Sequence, residues 1–196
     1  MKRCCLVILS LILILFSGCS SLNSRKVAID SYGIENKLGP KKYYLSSHFR
    51  SNNILQQKEL EYEIEKMLIN KGYMRVYDIQ MANLIVEYNY LLKGPLYNTY
   101  SSPVPVERWD RFYNRRYYRP RTIWVDQVFT EVYFEKKLTL KSMYKDTKYP
   151  LWEIEGIVRD SQEDIRESFP YILKGIQEYI GVNTGKVIYI DVSLGK

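Results

Sequence analysis

The segment 107–121 concentrates the side chains of this chain that are best suited to bind a ligand. It carries six arginines and five aromatic residues against two carboxylates, which leaves a local charge of +4. Guanidinium groups pair bidentately with phosphates and carboxylates, and aromatic rings stack on sugars, bases or other guanidinium groups. The candidate contact residues are Arg108, Trp109, Arg111, Arg115, Arg116, Tyr117, Tyr118, Arg119 and Arg121.

The start of the chain indicates that these arginines work outside the cytoplasm. Two basic residues precede an apolar stretch over 6–16, which is too short to span a bilayer and is typical of a secretory signal peptide. The stretch 16–19 resembles the lipobox of bacterial lipoproteins, which implies cleavage before Cys19 and acylation of its thiol. Cys4 and Cys5 leave with the signal, so the mature chain has a single cysteine and cannot form an internal disulfide.

These features predict the organisation and the location of the chain. The polar residues Ser20 and Ser21 after the cysteine, with no Asp, favour export to the outer membrane, with the domain facing the periplasm. We expect a lipoprotein signal peptide at 1–18, a lipidated cysteine and tether at 19–25, and a single domain at 26–196 that includes a long basic-aromatic loop at 94–122. The first expected partner is therefore the membrane, bound through the lipid on Cys19.

Export also limits the anions that the arginines of segment 107–121 could meet. In the cytoplasm this composition would indicate nucleic acid, which we do not expect as a partner here. Lipid head groups, lipopolysaccharide phosphates, peptidoglycan carboxylates and an acidic protein partner are the anions of the envelope. The alternative is a solvated surface loop whose arginines face water and whose rings cover the body.

Residue types for catalysis are sparse. His48 is the only histidine, and no Gly-x-Ser-x-Gly motif is present, so we expect no nucleophilic triad. One histidine and one lipidated cysteine also give no zinc site, and no cofactor is expected. Glu153 and Glu155 lie two residues apart and share one face of a predicted strand. Paired catalytic carboxylates can have this spacing, but so can two residues on the solvent-exposed face of any strand. We expect no catalytic residue and a structural role for His48.

Hydrophobic periodicity predicts the elements that position these residues. Alternation over 83–92, with Leu84, Val86, Tyr88 and Tyr90 on one side, predicts a strand, and it resumes over 124–144. The predicted strands are 26–30, 42–46, 83–92, 124–144 as one strand or a hairpin, 151–158 and 186–192. The predicted helices are 51–72, with Leu60, Ile64, Met67 and Leu68 inward and Gly72 as its stop, and 160–181, interrupted at Pro170 with Ser168 as a fresh cap.

This order predicts an α+β fold, because runs of consecutive strands are set off by only two helices. We expect a single domain with a mixed or antiparallel sheet, the two main helices packed on one face, and a long Tyr/Arg-rich loop.

Several motifs of the chain resemble the bacterial lipoproteins catalogued as domain of unknown function 4136. The family pattern ends a helix with Leu-x-x-Lys-Gly-Tyr, here 68–73, and follows it with an Ala-Asp-Leu-x-Val-x-Tyr strand, here 82–88 with Asn83 in place of Asp. A Leu-x-Trp strand then precedes the last helix, here 151–153. The resemblance implies the architecture and an envelope location, and it implies no chemistry.

Three hypotheses of function follow. The leading one is a non-enzymatic outer-membrane lipoprotein whose α+β domain contacts an envelope component or a partner protein through the arginine-rich segment. The alternative is a periplasmic hydrolase that acts on peptidoglycan or glycan through carboxylates, which needs a cleft with two carboxylates of raised pKa. The third is an assembly accessory whose last strand recruits a partner strand.

Overall fold

The computed structural model of the 196-residue chain describes residues 24–34, 41–47, 54–111 and 118–194, and of residues 109–111 and 118–120 only the backbone. The strands are β1 (Ser24–Gly33), β2 (Lys42–Ser47), β3 (Met74–Arg75), β4 (Leu84–Arg111), β5 (Tyr118–Tyr144), β6 (Pro150–Asp160) and β7 (Ile188–Ser193). The helices are α1 (Ile54–Asn70) and α2 (Ile165–Gln177), with a short 3₁₀ turn at Ile79–Met81.

The strands form one open sheet in the order β3-β2-β4-β5-β6-β1-β7. β2 runs parallel to β3 and β4, whereas the pairs β4–β5, β5–β6, β6–β1 and β1–β7 are antiparallel. The predicted α+β class, with a single mixed sheet and two main helices, is confirmed.

Both helices pack on one face of the sheet, because the strands alternate apolar side chains inward and polar ones outward. The inward residues of the central strands and the apolar stripes of the two helices form one buried cluster. The stripe predicted for α1, formed by Leu60, Ile64, Met67 and Leu68, is buried as expected. Gly72 follows it at φ +79, and the Tyr73 N–H donates to the Leu68 carbonyl at 3.0 Å, which is the predicted helix stop.

The second helix differs from its prediction. It is a single helix whose N-cap is Asp164, and Pro170 lies inside it rather than at a new start. Ser168 is not a cap, because its buried hydroxyl takes part in a charged cluster described below. Burial of Phe169, Ile172 and Ile176 offsets the one backbone hydrogen bond that a proline removes from a helix.

The predicted loop at 94–122 is the largest difference. In its described part it is a continuation of β4 and β5, which pair from Leu84 with Tyr144 out to Arg111 with Tyr118. One irregularity interrupts the pairing between Lys93 and Leu96, and the extra residue lies on β4. Pro and Ser residues indicated a loop in the sequence, but the backbone of an outer strand edge accommodates them.

Gly156 of β6 sets how closely α2 approaches the sheet. A Cβ at this position would lie 2.7 Å from Cγ2 of both Ile172 and Ile176. Gly156→Ala should therefore cost about 1–3 kcal/mol through overpacking, or a fall of several degrees in Tm, measured by thermal unfolding. Adding Ile172→Leu and Ile176→Leu, which removes both methyl groups, should recover part of the loss. A Gly156→Ala variant as stable as the wild type would contradict the close approach.

Candidate functional site: an exposed ribbon and the charged cluster at its base

The outer parts of β4 and β5 form a two-stranded extension of the sheet, residues 96–111 and 118–133, which we call the ribbon. β6 ends at Asp160, which pairs with Phe134, so beyond Phe134 the described part of the chain gives β5 no neighbour except β4. At roughly 3.3 Å per residue the ribbon is about 50 Å long. A two-stranded ribbon has little stability alone, so its length needs a firm base or a partner.

One face of the ribbon, its apolar face, carries eight apolar or aromatic side chains. They share a face because paired residues and every second residue along a strand point the same way. Tyr100 stacks on Phe129 at 5.7 Å, and Val106 and Val125 are 42% and 44% exposed. The polar pairs Asn98 with Glu131 and Ser102 with Gln127 separate the apolar pairs, and Val104, Val106, Ile123 and Val125 form an uninterrupted apolar patch toward the distal end. Exposed apolar patches often mark interaction sites. The residues are Leu96, Tyr100, Val104, Val106, Ile123, Val125, Phe129 and Tyr133.

The opposite face mixes polar and apolar side chains and holds the most exposed aromatic side chains of the ribbon. Trp124 is 69% exposed and Tyr97 is 66% exposed. Thr99 and Thr130 face each other across the strands with their hydroxyl oxygens 3.4 Å apart. This face also carries the carboxylate of Asp126 and the exposed side chain of Val128.

The prolines of the ribbon lie at positions whose backbone groups point to its outer edges. The Tyr144 N–H donates toward β6, to Tyr149, and the next N–H, of Lys145, donates toward β4, to Asn83. Backbone groups alternate along a strand, so even-numbered residues of β5 point their N–H and C=O away from β4. Pro120 is an even-numbered residue of β5. Pro103 and Pro105 of β4 pair with Asp126 and Trp124, which are also even-numbered residues of β5. All three prolines therefore occupy outward positions, where no ladder hydrogen bond is lost.

The arginine-rich segment predicted as the contact surface lies at the distal end of the ribbon. Arg108 and Arg121 are directly paired, exposed, and on the same side as the apolar face. The backbones of Trp109, Arg111, Tyr118 and Arg119 continue the pairing, with Trp109 opposite Pro120, Arg119 opposite Asp110, and Arg111 opposite Tyr118. Three further predicted contact residues, Arg115, Arg116 and Tyr117, lie outside the described residues.

At the base of the ribbon, a buried charged cluster joins four elements. It consists of Arg25 of β1, Lys136 of β5, Asp160 of β6, and Glu167 and Ser168 of α2. Lys136 is fully buried, and its Nζ donates to Asp160 Oδ1 at 2.9 Å and to Ser168 Oγ at 2.7 Å. Arg25 donates to Asp160 and Ser168, and to Glu167 at 3.2 Å. The cluster therefore holds the first strand, the ribbon base and the last helix together.

The cluster keeps Asp160 ionised. Burial raises the pKa of this carboxyl, but hydrogen bonds from Ser168 and Lys136, together with the charges of Lys136 and Arg25, outweigh it and lower the pKa below 3.8. A serine beside a lysine can form a nucleophilic pair. Here Ser168 is fully buried and donates to Asp160 at 2.6 Å, so its oxygen is not presented to a substrate.

Sequence reasoning missed this cluster. Lys136 has the same parity along its strand as the inward Leu138 and Leu140. The cluster could have been predicted from a charged residue at an inward position of an alternating strand, because a buried charge needs a buried partner.

Acid should release the stabilisation that Asp160 supplies. A carboxyl with a lowered folded pKa contributes fully above its unfolded pKa of 3.8, and the contribution is lost as the pH falls through the folded value. The difference in Tm between the wild type and Asp160→Asn should therefore be largest near neutral pH and narrow below about pH 4. Glu178→Gln, at a side chain that is 75% exposed, is the control. A difference that stays constant down to about pH 2 would contradict the role of Asp160.

Other residues considered for catalysis are dispersed. Glu155 is paired with Lys137 at 2.5 Å on the outer face of the sheet, with Glu153 two residues away on the same strand. His48 lies outside the described residues. Among the described residues, no group of three or more His, Cys, Asp or Glu side chains is placed to hold a metal ion. Neither described helix is long and apolar enough to cross a membrane.

A shallow cleft of about 450 Å³ lies between the starts of α1 and α2. It is lined by two carboxylates, those of Glu59 and Asp164, together with Arg166, Leu55 and Gln56. The side chain and backbone N–H of Arg166 donate to Asp164 and lower its pKa to about 2. A glycan hydrolase needs one carboxyl of raised pKa, and the pKa of Asp164 is shifted in the opposite direction.

Comparison with known proteins gives only distant likenesses. No family model matches the sequence, and no curated protein matches it. A PDZ domain protein from Parabacteroides distasonis is a similar solved structure, with 14% identity and a TM-score of 0.49; the likeness covers 89% of this chain and only 41% of that one. The PelC dodecamer from Paraburkholderia phytofirmans gives 10% identity and a TM-score of 0.42, over 77% of this chain and 95% of that one. These likenesses carry no functional argument.

Proposed function

We propose that this chain is a non-enzymatic lipoprotein of the bacterial outer membrane that binds an anionic envelope component or a partner protein through its ribbon. The observation that carries the proposal is the exposed ribbon itself, with apolar side chains along one face and paired arginines at its distal end. The lipobox-like stretch before Cys19 supports the location and the lipid anchor. The α+β body is the scaffold that presents the ribbon.

The charges of the body support a binding role over a catalytic one. Its partly buried charged groups neutralise each other: Lys136 contacts Asp160, and Arg75 contacts Glu65 at 2.6 Å and Glu61 at 3.4 Å. Such pairs hold a fold together and leave little charge for chemistry. The exposed arginines and aromatic side chains of the ribbon are the groups with the chemistry to meet an anion.

Crosslinking in cells tests this function. The wild type is compared with a variant in which Arg108, Arg111, Arg115, Arg116, Arg119 and Arg121 are changed to Ser, and captured protein, lipid and glycan are identified. The control changes six exposed lysines of the body, so that the same charge is removed: Lys42, Lys58, Lys66, Lys148, Lys174 and Lys186. We expect one species that the wild type and the control capture and the arginine variant loses.

Two further readouts complete the test. Both variants should keep the wild-type Tm within a few degrees, because Arg108, Arg121 and the six lysines are exposed and such charges contribute little to stability. Cys19→Ser should abolish incorporation of labelled fatty acid and release the protein from the membrane fraction. Equal capture by the folded arginine variant and the wild type would contradict the binding role, and no labelling of the wild type would contradict the anchor.

A further inference from the structure

The chain enters the sheet at the end from which the ribbon projects. β5 and β6 pair out to Phe134 and Asp160, where β6 stops and the ribbon begins. β1 is antiparallel to β6, with Val27 opposite Val158, so Ser24 lies at that same end of the sheet. The contact of Arg25 with Asp160 fixes this arrangement. Ser24, where the described chain begins, therefore lies on the side of the body from which the ribbon projects.

The lengths of the tether and the ribbon are unequal. The residues 19–23 reach at most about 18 Å when fully extended, whereas the ribbon extends about 50 Å from the same end. With Cys19 held in a bilayer, residues 19–23 keep Ser24 and the base of the ribbon within about 18 Å of the lipid surface, which is less than the length of the ribbon. A ribbon on the anchored side of the body therefore lies within reach of the membrane that holds the anchor.

We propose that the ribbon lies in the interface of the lipid surface that anchors Cys19, with its apolar face toward the acyl chains and Arg108 and Arg121 on lipid phosphates. This inference rests on the lipid anchor of the proposed function, and it names an anionic lipid surface as the ligand of the ribbon.

The order of side chains along the apolar face fits that surface. Val104, Val106, Ile123 and Val125 form two successive pairs on this face, and the next pair is Arg108 with Arg121. Interfacial segments bury an apolar face at the level of the headgroups and place basic side chains beside the phosphates. Two acidic residues fall on this face by register: Glu131 lies at the body end, where Tyr100 donates to it at 3.1 Å, and Asp110 pairs with Arg119 at the distal end.

The open edges of the ribbon place it at the interface rather than across the hydrocarbon. The outward N–H and C=O groups of Thr122, Trp124, Asp126 and Val128 have no partner strand in the described part of the chain. Backbone groups in hydrocarbon must be paired, because water is absent there. At the level of the headgroups the same groups stay hydrated while the apolar face is covered.

The full-length acylated protein, reconstituted in vesicles, tests the inference. Val125→Cys on the apolar face carries an environment-sensitive dye, and Val182→Cys, at an exposed position beyond α2, is the control. The vesicles contain phosphatidylcholine alone or with phosphatidylglycerol, and a nitroxide lipid is the quencher. We expect the dye at 125 in anionic vesicles to shift to the blue and lose about half its intensity to the quencher, while the dye at 182 is unchanged.

Flotation of the vesicles separates the anchor from the ribbon contact. A protein that does not float overturns both the anchor and the inference. A floating protein whose dye at 125 stays in water overturns the inference alone, and so does a dye shielded without quenching, which would mean a protein cover. Arg108→Ser with Arg121→Ser should reduce quenching in anionic vesicles to the level of neutral ones. Equal quenching before and after this change overturns the role of the arginines.

Discussion

Replacing Lys136 with Met should lower the free energy of unfolding by about 3 kcal/mol, equal to a fall in Tm of about 10 °C. Met fills nearly the same volume, so the effect comes from charge. The Asp160 carboxylate, only 16% exposed, would lose the donor at 2.9 Å, and Ser168 would lose the donor at 2.7 Å. Arg25 still contacts Asp160. The loss in free energy of unfolding should therefore lie near the lower end of the range for a broken buried ion pair.

Lys137 offers a matched control one residue away. It points to the opposite face of the sheet, is 31% exposed, and pairs with Glu155. Lys137→Met should change the free energy of unfolding by less than about 1 kcal/mol, because exposed ion pairs contribute little. Lys136→Met combined with Asp160→Leu should be more stable than Lys136→Met alone, since no unpaired charge remains. If Lys136→Met unfolded at the same temperature as Lys137→Met, the cluster would not hold the base of the ribbon.

The cluster at the ribbon base couples the scaffold to the contact surface. Lys136 lies two residues from Phe134, where β5 leaves β6 and becomes part of the ribbon. Arg25 belongs to the strand that follows the tether. The orientation of the ribbon relative to β1 is therefore set by one group of charges, and loosening it should raise hydrogen exchange in β4 and β5 before the rest of the sheet.

Periodicity predicted those elements of the fold whose packing is one-sided. The helix α1 and the inner part of β4 bury one stripe or one face, and their buried residues are those that the pattern indicates. Periodicity did not predict the ribbon, because both of its faces are exposed and its apolar and polar side chains need not alternate regularly along each strand. Its prolines indicated a loop, and only the direction of each backbone group shows that they fit a strand. A sequence pattern carries no information on that direction.

The candidate site was predicted only in part for the same reason. Composition located the arginines, since a concentration of like charge is visible without a structure. The apolar face of the ribbon was not visible, because its members come from two strands whose register is set by pairing. The charged cluster depends on Arg25, Lys136 and Asp160, which are far apart in sequence and meet only in the folded sheet.

Replacing Trp152 with Ala should cost about 3–5 kcal/mol, the range for large aromatic side chains in a core, and lower Tm by about 10 °C or more. Trp152 is 2% exposed, and its Nε1–H donates to the Tyr73 hydroxyl at 2.9 Å. The two rings meet edge to face at 6.3 Å, and Tyr73 meets Tyr43 in the same way at 6.1 Å. This aromatic group joins the end of α1 to the central strands.

Two controls separate the contributions of packing and hydrogen bonding to this effect. Tyr73→Phe keeps the ring but leaves the buried Nε1–H of Trp152 without an acceptor, which should cost about 1–3 kcal/mol. Trp124→Ala removes the same side chain from an exposed ribbon position and should change the free energy of unfolding by about 0.5 kcal/mol or less. Thermal unfolding should therefore rank the losses as Trp152→Ala, Tyr73→Phe and Trp124→Ala. If Trp124→Ala destabilised the chain as much as Trp152→Ala, the ribbon would be part of the core, and the distinction between scaffold and contact surface would fail.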